Sequence, residues 1–296
     1  MTTASVTRQE EGQTPPPMGL PGRMLGAANR LLAPIGVALV RANGTGEGAA
    51  ARLARFEAAL ARGWVRRNVG WCPICEGDVV FGAREAWLRE HYVCESCGSI
   101  PRERALVRVL GEQCPEWRTL ALHESSPAGV ASAKVRRECP RYVASQWWPD
   151  REPGSVHDGV RCENLERLRL LDASVDVFVT QDVMEHVLDP AAAFREIARV
   201  LRPGGAHVFT TPIYGEEATQ WRARRGPSGI EHLSPPEYHG SPIDPRGALV
   251  TVHWGQDIVA YIQAACGLPT SVYRFADPEM GLLGDFLDVL VTRRFA

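Results

Sequence analysis

Apolar residues recur along this chain with two periods. From Val175 to Thr180 and from Ala206 to Thr210 they run almost unbroken, as in strands buried on both faces. Shorter runs at Thr119–Leu122, Tyr142–Ala144, Ser271–Phe275 and Leu287–Val291 also read as strands. Between them the period becomes helical. Pro190 to Leu201 puts Ala193, Phe194, Ile197 and Val200 on one side, opens with Asp189-Pro190 as cap and first-turn proline, and stops at Pro203-Gly204-Gly205. A second helix is predicted from about Gln256 to Ala265, with Ile258, Tyr261 and Ile262 on one face and Gly267-Leu268-Pro269 after it. Strand and helix patterns alternate from Trp117 onward, which predicts an α/β domain built on an open sheet. The last two strands lie too close in sequence for a crossover helix, so an antiparallel ending is expected.

The chain divides by pattern into five parts. Residues 1–18, with a Pro15-Pro16-Pro17 run, show no periodicity and read as a disordered tail. Residues 19–70 read as a helical segment whose clearest stretch, Gly48 to about Arg67, spaces Leu53, Phe56, Leu60 and Trp64 as one helix face. A cysteine-bearing module follows at 71–101 and a linker helix at 102–116, and 117–296 form the α/β domain. Within that domain the long polar and aromatic segment 211–250 reads as a lid or substrate loop. The apolar stretch Met24–Val40 is broken by Asn29, Arg30 and Pro34 and is too short to span a bilayer; with no basic leader before it, a cytoplasmic location is expected.

Composition narrows the function. The 296 residues are 45% hydrophobic, and 33 basic against 35 acidic side chains leave a formal charge of −2, so no whole-chain attraction to nucleic acid is expected. Of the eight cysteines, Cys72, Cys75, Cys94 and Cys97 form C-x2-C-x18-C-x2-C. Two such pairs present four thiolates to one tetrahedral ion, and a closed set of this kind suits structural zinc. A dithiol redox site is the alternative. Arg102, Arg104 and Arg108 follow directly, either as a phosphate-facing patch or as interdomain packing. Cys114, Cys139, Cys162 and Cys266 are dispersed and read as inert thiols.

From Arg161 to Pro212 the chain carries Glu163-Asn164-Leu165, the Val175–Thr180 strand, Gln181-Asp182, Glu185-His186-Val187-Leu188-Asp189-Pro190 and Arg199-Val200-Leu201-Arg202-Pro203-Gly204-Gly205 before the next strand. This order resembles the class I S-adenosylmethionine-dependent methyltransferases, specifically their small-molecule branch. The resemblance implies a Rossmann-like, mostly parallel seven-stranded sheet with an antiparallel last strand, and S-adenosylmethionine at the carboxyl ends of the strands. The sequence departs from the family after the first strand, where His123-Glu124-Ser125-Ser126-Pro127-Ala128-Gly129 replaces the glycine-rich turn.

Carried onto this chain, the resemblance gives Glu124 to the methionine amino group and Ser125 and Ser126 to carboxylate or ribose. The N-terminus of the following helix also faces the carboxylate. Ser145 and Gln146 replace the acidic ribose partner, Asn164 and Leu165 meet adenine, and Gln181 and Asp182 face the methionine end. The D-x-x-E-H spacing of Asp182, Glu185 and His186 also resembles the E-x-x-E-H of ubiquinone-pathway O-methyltransferases, where such side chains hold a divalent ion; capping of the turn is the plainer reading.

Asp182 is the best-placed polar residue for the active crevice, and His239 in the lid is the candidate general base. The resulting expectation is a zinc-bearing methyltransferase acting on an oxygen or nitrogen of a small-molecule or glycan-like acceptor. An rRNA or tRNA methyltransferase is the first alternative. A methyltransferase fold that has lost catalysis and serves as a binding or scaffold protein is the second.

Overall fold

The structure, a computed structural model, describes residues 63–241 and 243–295. The expected tail, and the expected helix up to residue 62, therefore lie outside the described residues. The last positions assigned to that helix, Arg66 and Arg67, instead open a strand.

The cysteine module is a small antiparallel sheet of β1 (Arg66–Cys72), β2 (Gly77–Ala83) and β3 (Val93–Cys94), with the short helix α1 (Leu88–His91) between the last two. Its two cysteine turns are built alike. Glu76 N donates to Cys72 O and Gly98 N to Cys94 O, both at 2.8 Å, and Glu76 and Gly98 both have positive φ. A left-handed residue after each C-x-x-C thus folds both sulfur pairs toward one point.

Helix α2 (Pro101–Gln113) leads into the main domain. There an eight-stranded sheet is formed by β4 (Leu122–Ser125), β5 (Tyr142–Gln146), β6 (Val156–His157), β7 (Val160–Cys162), β8 (Val175–Gln181), β9 (Leu201–Thr210), β16 (Thr270–Tyr273) and β17 (Val289–Arg293), with the order β16-β17-β9-β8-β4-β5-β7-β6. Strands β7, β5, β4, β8 and β9 are mutually parallel, and β17 pairs antiparallel with both β9 and β16. This is the expected open α/β sheet with its antiparallel ending.

Three details correct the sequence reading. The sheet has eight strands, because the short hairpin strand β6 adds to the expected seven. The first strand is Leu122–Ser125, so Thr119–Ala121 serve as its approach. The segment 211–250 is not an irregular loop. It holds β10 (Gln220–Trp221), the hairpin β11 (Ala223–Gly226) and β12 (Gly229–His232), and β13 (Tyr238–His239) paired with β14 (Ala248–Leu249); β15 (Val252–His253) then pairs back onto β10.

Two-residue alternation along β8 and β9 sorts the core. Val177, Val179, Ala206 and Val208 face α2 and α3 (Gly129–Glu138), meeting Leu106, Leu110 and Val135. Phe178 and Phe209 face α4 (Pro190–Val200) and α5 (Ile258–Cys266), meeting Phe194, Ile197 and Ile262. The predicted face of α4 is the buried one, and Asp189 caps it by accepting from Ala192 N at 2.9 Å.

Candidate functional site at the carboxyl edge of the sheet

Ser125 at the end of β4 lies level with Ser145 of β5 and Thr180 of β8, so these strands finish together along one edge. The first residues beyond them are Ser126, Asp182 and the turn Met184–His186, and both Ser126 and Asp182 take positive φ. Left-handed backbone at non-glycine positions is costly and gathers at functional sites.

Glu124 turns inward. Its carboxylate is buried and accepts from Ser132 Oγ and Tyr142 Oη at 2.7 Å and from Gln181 Nε2 at 2.9 Å. Burial pushes its carboxyl above the usual range despite these donors. Gln181 is therefore committed to Glu124 and Ser132. Ser145 is also turned inside, 2.8 Å from His123 Nε2, whose ring stacks on Phe178. Asn164 Oδ1 accepts from Glu166 N within its own turn, and Leu165 packs in the core.

The N-terminus of α3 is already taken. Glu103 of α2 accepts from Val130 N and Ala131 N, and its other oxygen accepts from Ile100 N at 3.0 Å. A carboxylate of the protein thus sits where the resemblance places the cofactor's own carboxylate. Gly129 has φ +75°, and a Cβ on it would overlap Glu103.

The residues fit S-adenosylmethionine in part. The positive-φ turn at Ser126 and the half-buried Gln146 with the following half-buried Trp147 offer polar and aromatic surface at the ends of β4 and β5. Glu124 and the α3 N-terminus offer none that is free.

Asp182 is engaged by the cysteine module. Arg89 Nη2 of α1 donates to Asp182 Oδ2 at 2.6 Å, and Arg102 Nε lies 3.1 Å from the same oxygen, while Thr210 Oγ1 donates to Oδ1 at 2.9 Å. Burial alone would push this carboxyl up, but Arg89 and Arg102 outweigh it and hold it below the ordinary range. Arg102 also pairs with Glu90. Arg104 is fully buried and donates to the carbonyl oxygens of Ser99, Tyr92 and Gly281, and Arg108 pairs with Asp277 at 3.0 Å. The three arginines that read as a phosphate patch are thus paired with partners inside this chain.

Beyond Asp182 the segment 211–250 packs on the turn Met184–His186. Glu185 is buried and accepts from Thr211 Oγ1 at 2.9 Å through one oxygen. His186 Nδ1 lies 2.9 Å from Leu249 O, which places the ring proton on Nδ1. The His186 and His239 rings stand edge to face at 5.2 Å. Glu237 collects His253 Nε2 at 3.0 Å, His239 Nε2 at 3.4 Å and Arg222 at 3.3 Å. A row of rings then runs back to the cysteine module, with His253 on Tyr214 at 4.2 Å, Tyr214 to Phe286 at 5.1 Å and Phe286 to Trp87 at 6.3 Å.

In the module, Cys72 and Cys97 sulfurs lie 3.9 Å apart and Cys75 and Cys94 sulfurs 3.8 Å, with all four within 4.8 Å of one another. Zinc bound at about 2.3 Å by four thiolates requires sulfur–sulfur edges of about 3.8 Å, so the cluster fits the ion.

Sequence reasoning missed Arg89, Glu103, Trp147, Glu237 and Phe286. Trp147 had a usable signal in its place directly after Gln146. Arg89 and Glu103 had none, because an ion pair or a cap made across the fold leaves no local pattern.

Residues 126–209 match the family model of a methyltransferase domain, from the turn after β4 almost to the end of β9. This stretch of the chain is similar to such a domain. A probable S-adenosylmethionine-dependent methyltransferase of Mycolicibacterium smegmatis is 51% identical over 53 residues, 18% of this chain and 21% of that protein. The dimethylglycine N-methyltransferase of Parasynechococcus marenigrum is 39% identical over 59 residues, 20% of each chain. An uncharacterized methyltransferase of Mycobacterium sp. strain JLS is 33% identical over 111 residues, 35% of this chain and 42% of that one. The chain thus spans about a fifth of the length of the first two relatives. Among the described residues no helix is long and apolar enough to cross a membrane.

Proposed function

We propose that this chain is an S-adenosylmethionine-dependent methyltransferase that methylates an oxygen or nitrogen of a small-molecule or glycan-like acceptor, and that Cys72, Cys75, Cys94 and Cys97 hold one structural zinc. The observation that carries the reading is the coincidence of the methyltransferase-domain segment 126–209 with a sheet edge bearing left-handed Ser126 and Asp182. When bound, S-adenosylmethionine supplies a sulfonium methyl that an acceptor lone pair displaces in line. Ser125, Ser126 and Gln146 hydrogen-bond the ribose side, Trp147 and the Asn164-Leu165 turn pack the adenine, and positioning of this kind supplies much of the rate.

Asp182 and His239 stand at the acceptor end. The neighbouring rings of Trp87, Phe286 and Tyr214 favour an acceptor that is itself a ring, since flat aromatic faces pack sugar and heterocycle faces well. Zinc, by closing the module, holds Arg89 and Trp87 against this end.

A second reading is favoured by one observation, the capture of the α3 N-terminus by Glu103. A fold so capped would serve as a binding protein without turnover. Calorimetric titration of the zinc-replete chain with S-adenosylhomocysteine separates the two. Saturable binding weakened by Gln146→Ala and Trp147→Ala supports the enzyme, and folded protein that binds none supports the second reading.

A further inference from the structure

We propose that Glu185, His186 and His239 form a second metal site, distinct from the four-cysteine cluster, that takes one divalent first-row transition ion. Their ligand atoms lie within 4.8 Å of one another. Glu185 is 2% exposed, and its Oε1 has no hydrogen-bond partner, although its other oxygen is bound by Thr211. A buried carboxylate oxygen left without a donor is costly, and a cation removes that cost.

His186 is prepared in the way a ligand is. Its Nδ1 donates to Leu249 O, so Nε2 carries the lone pair, and Nε2 lies 3.9 Å from the orphaned Glu185 oxygen. Two ligands each about 2.1 Å from one ion are separated by up to about 4.2 Å, so this spacing suits a shared ion. His239 is oriented in turn by Glu237, 3.4 Å from its Nε2, which leaves Nδ1 as the ligating atom. A carboxylate behind a ligating imidazole raises its basicity and fixes its ring.

Asp182 is not part of this set. Its oxygens are taken by Thr210, Arg89 and Arg102, so the ligand trio differs from the Asp182-Glu185-His186 trio that sequence spacing suggests. The third ligand comes from the lid instead, on β13. Two imidazoles and a carboxylate form a borderline donor set, suited to zinc, iron or cobalt more than to magnesium or calcium. Three protein ligands leave positions open. As a statement about catalysis the proposal rests on the methyltransferase reading: the ion would bind an acceptor oxygen and lower the pKa of its hydroxyl, so that the proton departs to water during methyl transfer. It also gives the lid a reason to close, since the ion would tie β13 to the turn after β8.

The test uses the full chain with its cysteine cluster zinc-loaded. Dialysis against a weak chelator is followed by elemental analysis, and Co(II) is then titrated and followed by visible absorption. We expect saturable binding of about one cobalt per chain with nitrogen and oxygen ligand-field bands and no thiolate charge-transfer band. His239→Ala and Glu185→Gln should weaken it by at least the roughly 10–100-fold typical of lost outer ligand partners, while His232→Ala, an exposed lid histidine, leaves it unchanged. A second zinc that survives dialysis in the parent chain and is lost in His239→Ala is the same result by another route.

Absence of saturable binding in folded protein overturns the proposal, as does binding that His239→Ala and Glu185→Gln leave intact; circular dichroism checks the fold of each variant. S-adenosylhomocysteine titration of the same samples keeps the two readings apart. Cofactor binding without cobalt binding overturns the metal site alone, and cobalt binding without cofactor binding upholds the site and overturns the enzyme reading.

Discussion

Arg89 Nη2 donates to Asp182 Oδ2 across 2.6 Å, joining the cysteine module to the first residue beyond β8. The two lie 93 positions apart in sequence, and Arg102 reinforces the contact from α2. The module therefore builds part of the edge it covers, and a function assigned to Asp182 depends on the module being folded.

Arg89→Met tests that dependence. The Asp182 side chain is 19% exposed and keeps Arg102, so we expect a loss of about 1–3 kcal/mol, below the value for a fully buried pair broken on one side. The sign with pH follows from the depressed carboxyl: the stabilisation is whole above about pH 4, the unfolded value, and is lost as the pH falls through the folded one. Urea unfolding of Arg89→Met, Asp182→Asn and the double variant should show strong non-additivity; additive losses would mean that the pair contributes nothing to stability.

Removal of the proposed zinc should reach the same edge. A module this small has little core of its own, and zinc contributes roughly 10–16 kcal/mol in finger-sized peptides. Cys94→Ser is expected to lower the zinc content by about one ion per chain and to raise amide exchange in β1–β3. Exchange should rise as well at Asp182 and Thr210, although neither touches a cysteine. Unaltered exchange at those two positions would show that the module's fold does not matter to the edge.

How much of this was legible in the sequence depended on whether a feature is local. The strand at Val175, the capped helix from Pro190 and the paired cysteines each carry their own pattern and lie where it puts them, whereas the strand expected from Ala206 starts at Leu201 and runs through Pro203-Gly204-Gly205. The first strand was displaced by three residues because its polar end, His123-Glu124-Ser125, reads as a turn. Those side chains are buried only because partners from β5, α3 and β8 receive them. Roles assigned by resemblance depend on the fold in the same way. Glu124 and the α3 N-terminus are free to meet a ligand only if nothing in the fold claims them, and Gln181 and Glu103 do.

Two imidazoles in the sheet core contribute to the behaviour in acid. Burial pushes His207 down to about 3, and burial with the nearby Arg161 charge does the same to His123. Both are neutral in the folded protein, whereas in the unfolded chain they titrate near about 6.5. Their contribution is complete above that value and is lost as the pH falls from about 6.5 toward about 3, at about 1.4 kcal/mol per pH unit for each ring. His207→Phe keeps a ring against Phe209 and abolishes one titration. Its stability should fall less steeply over this range, by up to about 1.4 kcal/mol per pH unit, and an unchanged slope in urea unfolding would exclude His207 as a source.

Gly129 and Glu103 make the last prediction, because their two costs can be separated. Gly129→Ala adds a Cβ that overlaps the Glu103 carboxylate and forces a side chain into φ +75°. The backbone cost alone is about 1 kcal/mol, and displacing Glu103 removes an N-terminal cap worth about another 1 kcal/mol. Glu103→Ala should therefore lower stability by about 1 kcal/mol alone, yet cost almost nothing further in the Gly129→Ala background, where the cap is already displaced. Glu103→Ala also frees the α3 N–H groups of Val130 and Ala131. If cofactor binding is limited by that cap, S-adenosylhomocysteine should bind Glu103→Ala more tightly than the parent chain in calorimetry. Equal affinity would show that the ligand's carboxylate is held elsewhere on the edge.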